Sequence, residues 1–113
     1  MEDFNLDKKL DQLWGISHGL IPGDPTQAFL DYCHMVITAY RNQEVDSETA
    51  GYKLCGAFTP ETKFTQTPEL EELTDITCDL ELGEVSVHAQ NVEKTWKHIE
   101  ELVEQYAKKV RKS

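Results

Sequence analysis

The sequence predicts an all-α domain, built as an antiparallel bundle of four to five helices. Apolar residues recur at spacings of three and four in several separate segments, which is the period of one helix face. Two of these segments open with a capping residue followed by proline, at Asp24-Pro25 and at Thr67-Pro68. The chain has 113 residues, 39% of them hydrophobic, which is enough for one core. Residues 1–113 are therefore expected to form a single helical domain.

The first helix is predicted to begin after Asn5, whose side chain suits the N-cap position. It is predicted to end in the segment from Gly19 to Gly23, because Pro22 cannot extend a helix and glycine permits unusual backbone conformations. Its core-facing stripe consists of Leu6, Leu10, Leu13 and Trp14.

The second helix has the strongest local start signal in the chain. Asp24 suits the N-cap and Pro25 the first helical position, and Gln27 is expected to bond back to the amide of the cap as a capping box. The helix is predicted to run to about Asn42. Its broad apolar face predicts that it is the most buried helix, with Phe29, Tyr32, Cys33, Val36, Ile37 and Tyr40 facing the core.

The third helix is predicted to be short, with Asp46 or Ser47 as its cap. Gly51 and Gly56 each cost about 1 kcal/mol relative to alanine in a helix, so this helix is expected to be the least stable. Its apolar positions are Ala50, Leu54, Ala57 and Phe58.

The fourth helix is predicted to start at Pro68, with Thr67 as its cap. From Glu69 to Glu84 the segment holds seven carboxylates and no basic residue. Its core stripe is predicted to be Leu70, Leu73, either Ile76 or Thr77, and Leu80.

The carboxylates of this segment need a physical explanation. Glu71, Asp75 and Asp79 stack at i, i+4 and i+8, where like charges repel by a few tenths of a kcal/mol per pair, about 0.2–0.5. The helix dipole favours acids in the first turn, but it does not reach Asp79, Glu81 or Glu84. The acidic face is therefore either a solvated surface or a binding surface for a cationic partner.

The last helix is predicted to follow Gly83 as a C-cap and Ser86 as an N-cap. At nearly 24 residues it is long enough either to span the whole bundle or to project beyond it. Its stripe has heptad spacing and consists of Val92, Trp96, Ile99, Val103, Tyr106 and Val110.

The charge balance excludes some classes of function. The chain has 21 acidic and 11 basic residues, a net charge of −10, which argues against binding to nucleic acid or to an anionic membrane. An acidic surface instead attracts basic proteins, or serves solubility alone. The start of the chain does not resemble a secretory signal, and no apolar run has membrane-spanning length, so a cytoplasmic location is expected.

The pattern of reactive residues predicts no catalytic residue, no cofactor and no metal. Cys33, Cys55 and Cys78 are odd in number, which favours reduced thiols, and each is expected to be a small core residue. Cys33 and His34 are adjacent, but consecutive helical side chains point about 100° apart. The histidines lack zinc-ligand spacing, and no glycine-rich phosphate loop is present.

Residues 40–48 carry an aromatic helix end, a short acidic turn and a capped helix, and residues 68–73 open an acidic helix. With these two stretches, the layout of residues 29–84 resembles a set of small helical bacterial proteins that includes immunity proteins of the colicin D type and related toxin-neutralising families. The resemblance implies a monomeric or weakly dimeric bundle. Such a protein would block a cationic nuclease by offering carboxylates where the enzyme would take phosphates.

The leading hypothesis is a non-enzymatic acidic binding protein, an immunity- or antitoxin-like inhibitor that meets a basic protein partner such as a nuclease-type toxin. Two alternatives stay open: a structural or adaptor module that homodimerises through the stripe of the last helix, and a small metal-dependent or redox enzyme. The predicted partner-binding residues are Glu71, Glu72, Asp75, Asp79, Glu81 and Glu84.

Overall fold

Five helices make up the fold. The computed structural model describes residues 2–58, 63–64, 67–81 and 89–112, and the side chains of 7–58, 63–64, 67–80 and 92–110. Within these ranges the chain forms helices and no strand, so the all-α prediction is confirmed. The helices are α1 (Glu2–Ser17), α2 (Pro25–Arg41), α3 (Ser47–Cys55), α4 (Pro68–Glu81) and α5 (Ala89–Lys112).

Each helix packs on the next one along the chain, and α5 returns to contact α2, which closes the bundle. Helices α2 and α5 contribute most of the buried apolar side chains, as their patterns predict. Phe29 of α2 lies at the centre, where it stacks on Phe64 at 4.1 Å and meets Phe58 and Tyr106 edge to face. Aromatic pairs in this geometry add to the stabilisation that burial itself provides.

The start of α1 differs from the sequence prediction. The helix begins at Glu2, so Asn5 lies inside it and the predicted Asn5 cap is wrong. Glu2 and Asp3 precede Asn5, and acidic residues are favoured in a first helical turn by the helix dipole. Of the predicted stripe, Leu10 is buried and Leu13 and Trp14 pack against the core, while the side chain of Leu6 lies outside the described ones.

Gly19 ends α1, as predicted. Its φ of 77° is the left-handed conformation that glycine adopts without a steric penalty. The Leu20 amide donates to the Gly15 carbonyl at 2.8 Å and the Gly19 amide to that of Ile16 at 3.1 Å. This pair of bonds is a Schellman motif, which satisfies two carbonyls at the end of the helix.

The start of α2 confirms the predicted cap and corrects the predicted capping box. The Asp24 carboxylate accepts the amides of Thr26 at 3.1 Å and Gln27 at 3.3 Å, and Pro25 follows the cap. The side-chain amide of Gln27, however, donates to Asp31 at 2.9 Å instead of serving the cap. An i, i+4 acceptor on the same helix face is a competing partner for glutamine.

The end of α2 repeats the Schellman motif without a glycine. The helix ends at Arg41, and Gln43 adopts the left-handed conformation with φ 63°. The Glu44 amide donates to the Ala39 carbonyl at 2.8 Å, and the Gln43 amide to that of Tyr40 at 3.0 Å. A residue with a β-carbon is strained in this conformation.

Asp46 is the cap of α3, which decides between the two predicted candidates. Its carboxylate accepts the Thr49 amide at 2.7 Å, and the bonding to Thr49 lowers the pKa of Asp46. The Ser47 hydroxyl instead accepts the indole N–H of Trp96 at 3.0 Å. The predicted apolar positions face inward: Ala50, Leu54 and Ala57 are buried and Phe58 is half-buried.

The apolar stripe of α5 is used within the molecule. Trp96, Ile99, Val103 and Tyr106 are buried, and Val110 still packs against the core. Helix α5 therefore packs on the bundle as far as Val110, near its end, and does not project beyond it. From Trp96 to Tyr106 the stripe is thus occupied by contacts within the chain.

Arg41 fixes the end of α2 to α5. Its Nη1 donates to both carboxylate oxygens of Glu93 at 2.8 Å, and its Nε donates to Glu100 at 2.7 Å. Beside it, Tyr40 stacks on Trp96 with ring centroids 4.2 Å apart. The guanidinium thus bridges two carboxylates of α5, and hydrogen bonds between charged groups are stronger than those between neutral ones.

Replacing Gln43 by glycine should stabilise the protein by about 1 kcal/mol, because it relieves the left-handed strain at that position. The matched control is Gln105→Gly, an exposed position inside α5, which should destabilise by about 1 kcal/mol. Urea unfolding of both variants measures the difference. Two shifts of the same sign would contradict the assignment of Gln43 to the end of the helix.

Candidate functional site

The apolar face of α4 packs inward as predicted. Leu70, Leu73 and Leu80 are buried, and Thr77 takes the fourth buried position while Ile76 is half-buried. The Thr77 hydroxyl donates to the carbonyl of Leu73 at 2.9 Å. Because this bond satisfies the hydroxyl within the helix, a threonine can occupy the core.

The opposite face of α4 carries three exposed carboxylates, Glu71, Asp75 and Asp79, which we call the acidic ridge. They lie at successive turns over about 12 Å of helix. No side chain in the described part of the chain forms an ion pair with any of the three. The ridge thus faces water, which is the placement that a binding surface requires.

The other predicted partner-binding residues have different positions. Glu72 lies beside the ridge, and its carboxylate is 3.0 Å from Nε2 of His98 on α5. Nδ1 of the same histidine is 3.8 Å from Glu101. Glu81 belongs to α4, but its side chain is not among those described, and Glu84 lies outside the described residues.

Glu69 has a structural role that the sequence did not reveal. Its carboxylate lies 2.7 Å from Nζ of Lys109 near the end of α5, and only 13% of its side chain is exposed. The bond to Lys109 is the main reason that its pKa lies below the ordinary value. A partner 40 residues further along the chain carries no local signal, so only the packing of α5 on α4 brings the two together.

The far end of the ridge borders α5 as well. Asp79 lines a shallow groove of about 270 Å³ together with Ile76, Lys94, Thr95 and His98. The start of α4 meets the end of α5 at Glu69 and Lys109, and its end meets the start of α5 here, so the two helices run antiparallel.

A larger groove lies on another side of the molecule, between α1, α2 and α3. It has a volume of about 640 Å³, and the ion pair of Asp7 with Lys53 at 3.0 Å crosses it. The indole of Trp14 donates to the Gly56 carbonyl at 2.9 Å, and the Tyr32 hydroxyl to that of Lys53 at 2.6 Å. The sequence did not predict this groove, because the residues that form it come from three separate helices.

The three cysteines fall into two groups. Cys33 is fully buried, as predicted, and burial raises the pKa of its thiol. Cys55 and Cys78 are only half-buried, and their sulfur atoms lie 2.7 Å apart. The prediction that all three are separate core residues is therefore wrong for these two, because the packing of α3 on α4 brings them together.

Two further observations concern metal binding and membrane spans. In the ranges that the structure describes, no three His, Cys, Asp or Glu side chains are grouped so that they could hold a metal ion. Likewise, none of the helices there has the length and apolar character needed to cross a membrane.

Comparisons with protein-family models, with curated proteins and with solved structures found no match to this chain.

Leu73→Ala should lower the free energy of unfolding by about 2 to 4 kcal/mol, because Leu73 is fully buried in the core. Leu20→Ala makes the same change at a side chain that is 72% exposed, and it should cost less than about 0.5 kcal/mol. Chemical denaturation measures both. Similar losses for the two variants would overturn the inward orientation of this face of α4.

The pairing of Glu69 with Lys109 should make stability depend on pH. Because the pKa of Glu69 is lowered in the folded state, its stabilisation is present above the ordinary carboxyl value, about 4.3, and is lost as the pH falls through the lowered one. At neutral pH the melting temperature of Glu69→Gln should therefore be lower than that of the unaltered chain, and this difference in melting temperature should disappear in acid. Thermal melts across this pH range measure it.

Glu71→Gln provides the control for Glu69→Gln, since it removes an exposed carboxylate of the ridge two residues away. It should leave the neutral melting temperature unchanged or slightly higher, because it relieves repulsion within the ridge. If the difference in melting temperature between Glu69→Gln and the unaltered chain stayed constant down to low pH, it would contradict the ion pair.

Proposed function

We propose that this chain is a non-enzymatic binding protein, an immunity- or antitoxin-like inhibitor that captures a basic, nuclease-type protein on the acidic ridge of α4. The observation that supports it is the exposure of Glu71, Asp75 and Asp79 on one helix face, where they take no part in the ion pairs that α4 makes with α5. The resemblance to colicin D-type immunity proteins suggests the class of partner.

The energetics favour a cationic partner over self-association. Three like charges on successive turns repel one another, and a basic surface placed against them converts that repulsion into attraction. The net charge of −10 extends the attraction over a longer range and should speed association at low salt. The same charge disfavours nucleic acid as a direct partner.

The proposed surface extends beyond the ridge. Glu72 adjoins it and would exchange or share its bond to His98 when a partner binds, while Glu81 and Glu84 continue the acidic sequence. We propose a cytoplasmic location, since an inhibitor that protects its own cell has to meet the nuclease there. A monomer, or at most a weak dimer, fits an α5 stripe that is already buried.

Charge reversal on the ridge tests the proposal. The proposal requires a basic nuclease-type protein encoded beside the gene for this chain, and that protein is the probe. Asp75→Lys with Asp79→Lys should weaken its capture at least about tenfold and restore its nuclease activity, because both changes replace attraction by repulsion. Circular dichroism should show unchanged helicity. Association of the unaltered pair should slow as salt is added.

The matched control is Asp31→Lys with Glu44→Lys, which changes the net charge equally at two exposed positions outside α4. This variant should inhibit the nuclease within about threefold of the unaltered chain if the ridge is the contact surface. If both double variants lost inhibition equally, the cause would be the net charge of the protein, and a contact at the acidic ridge would be contradicted. A neighbouring nuclease that the chain does not inhibit, or a salt-resistant homodimer in light scattering, would contradict the inhibitor proposal.

A further inference from the structure

Cys55 and Cys78 are placed as a reactive pair. Cys55 ends α3 and Cys78 lies in the last turns of α4, and their sulfur atoms are 2.7 Å apart. We propose that these two thiols form a reversible disulfide that clamps α3 to α4, with a low-molecular-weight disulfide such as oxidised glutathione as the oxidant. This proposal is independent of what the acidic ridge binds.

The geometry needs little change for the bond to form. A disulfide joins its sulfurs at about 2.05 Å, so the two atoms must approach by well under 1 Å. Two thiols separated by 23 residues in the sequence reach this distance only because α3 packs on α4. The bond would thus form in the folded protein without rearrangement of the helices.

The pair is accessible, whereas the third cysteine is not. Both side chains are half-buried, and Cys55 also lines the 640 Å³ groove between α1, α2 and α3. Cys33 is fully buried, and its raised pKa leaves little of the reactive thiolate. An oxidant that enters the groove would therefore meet Cys55, whose sulfur lies 2.7 Å from that of Cys78.

The exchange proceeds in two balanced steps. The Cys55 thiolate attacks one sulfur of the oxidant, whose S–S bond breaks, and one small thiolate leaves. The Cys78 thiolate then attacks the Cys55 sulfur of the mixed disulfide, which forms the Cys55–Cys78 bond and releases the second small thiolate. Two electrons pass from the protein to the oxidant, and the protons of both cysteines end on the released thiols.

The bond would tie down the helix that the sequence predicts to be the least stable. Helix α3 has nine residues and contains Gly51, and a glycine inside a helix costs about 1 kcal/mol relative to alanine. A Cys55–Cys78 link would close the connection between α3 and α4 into a loop and restrict the unfolded chain. It would also tie down α4 next to Asp79, so oxidation would stiffen the helix that carries the acidic ridge.

The test uses the reduced full chain, equilibrated with mixtures of reduced and oxidised glutathione and quenched in acid. Intact mass should show the loss of two hydrogen atoms with no glutathione retained, and a non-reducing peptide map should join Cys55 to Cys78. The melting temperature should rise by about 10 °C on oxidation, as expected for closing a loop of this length.

Three variants separate the steps. Cys33→Ala should form the same disulfide and show the same rise in melting temperature on oxidation, because it leaves the pair intact. Cys78→Ser should retain one glutathionyl group on Cys55, and neither Cys78→Ser nor Cys55→Ser should gain thermal stability from oxidation. Glutathione retained on both cysteines, links between chains, or a disulfide that fails to raise the melting temperature would overturn the proposal.

Discussion

The packing of the α5 stripe against α2 is the constraint on which the rest of the structure depends. Phe29 and Tyr106 meet edge to face in the core, and Tyr40 stacks on Trp96 where the end of α2 meets α5. Once these faces are buried against each other, α4 has to cover the remaining apolar surface with its leucines. Its carboxylates are then directed to the outside, so the exposure of the acidic ridge follows from how the core is filled.

The contacts between helices also sort the carboxylates of α4 into two groups. Glu69 and Glu72 face α5, where they meet Lys109 and His98. Glu71, Asp75 and Asp79 lie on the face opposite the core and form no ion pair within the described residues, and Asp79 also borders the groove between α4 and α5. The Glu69 side chain is only 13% exposed, and its pairing with Lys109 helps to hold α4 on α5. Exposed like charges instead cost a little stability, so the second group is the one that needs a functional explanation.

Local signals succeeded where one element decides the outcome. Asp24, Pro25 and Gly19 act within a few residues of themselves, so the start of α2 and the end of α1 were predictable. The same reasoning failed where several partners compete. The helix begins at Glu2, one of the acidic residues that precede Asn5, and the Gln27 side chain donates to Asp31 instead of bonding to the cap. At the end of α2 the left-handed position is occupied by Gln43 instead of glycine, so the sequence contains no signal for this turn.

The sequence by itself determined the helical class, the inward stripes of α2, α4 and α5, and the acidic face of α4, because each depends on a period of 3.6 residues along one segment. Only the tertiary structure decided that Glu69 pairs with Lys109, that Cys55 lies against Cys78, and that the stripe of α5 is enclosed by the chain's own core. These are contacts between segments far apart in the chain, and their distances are set by how the helices pack rather than by any local pattern.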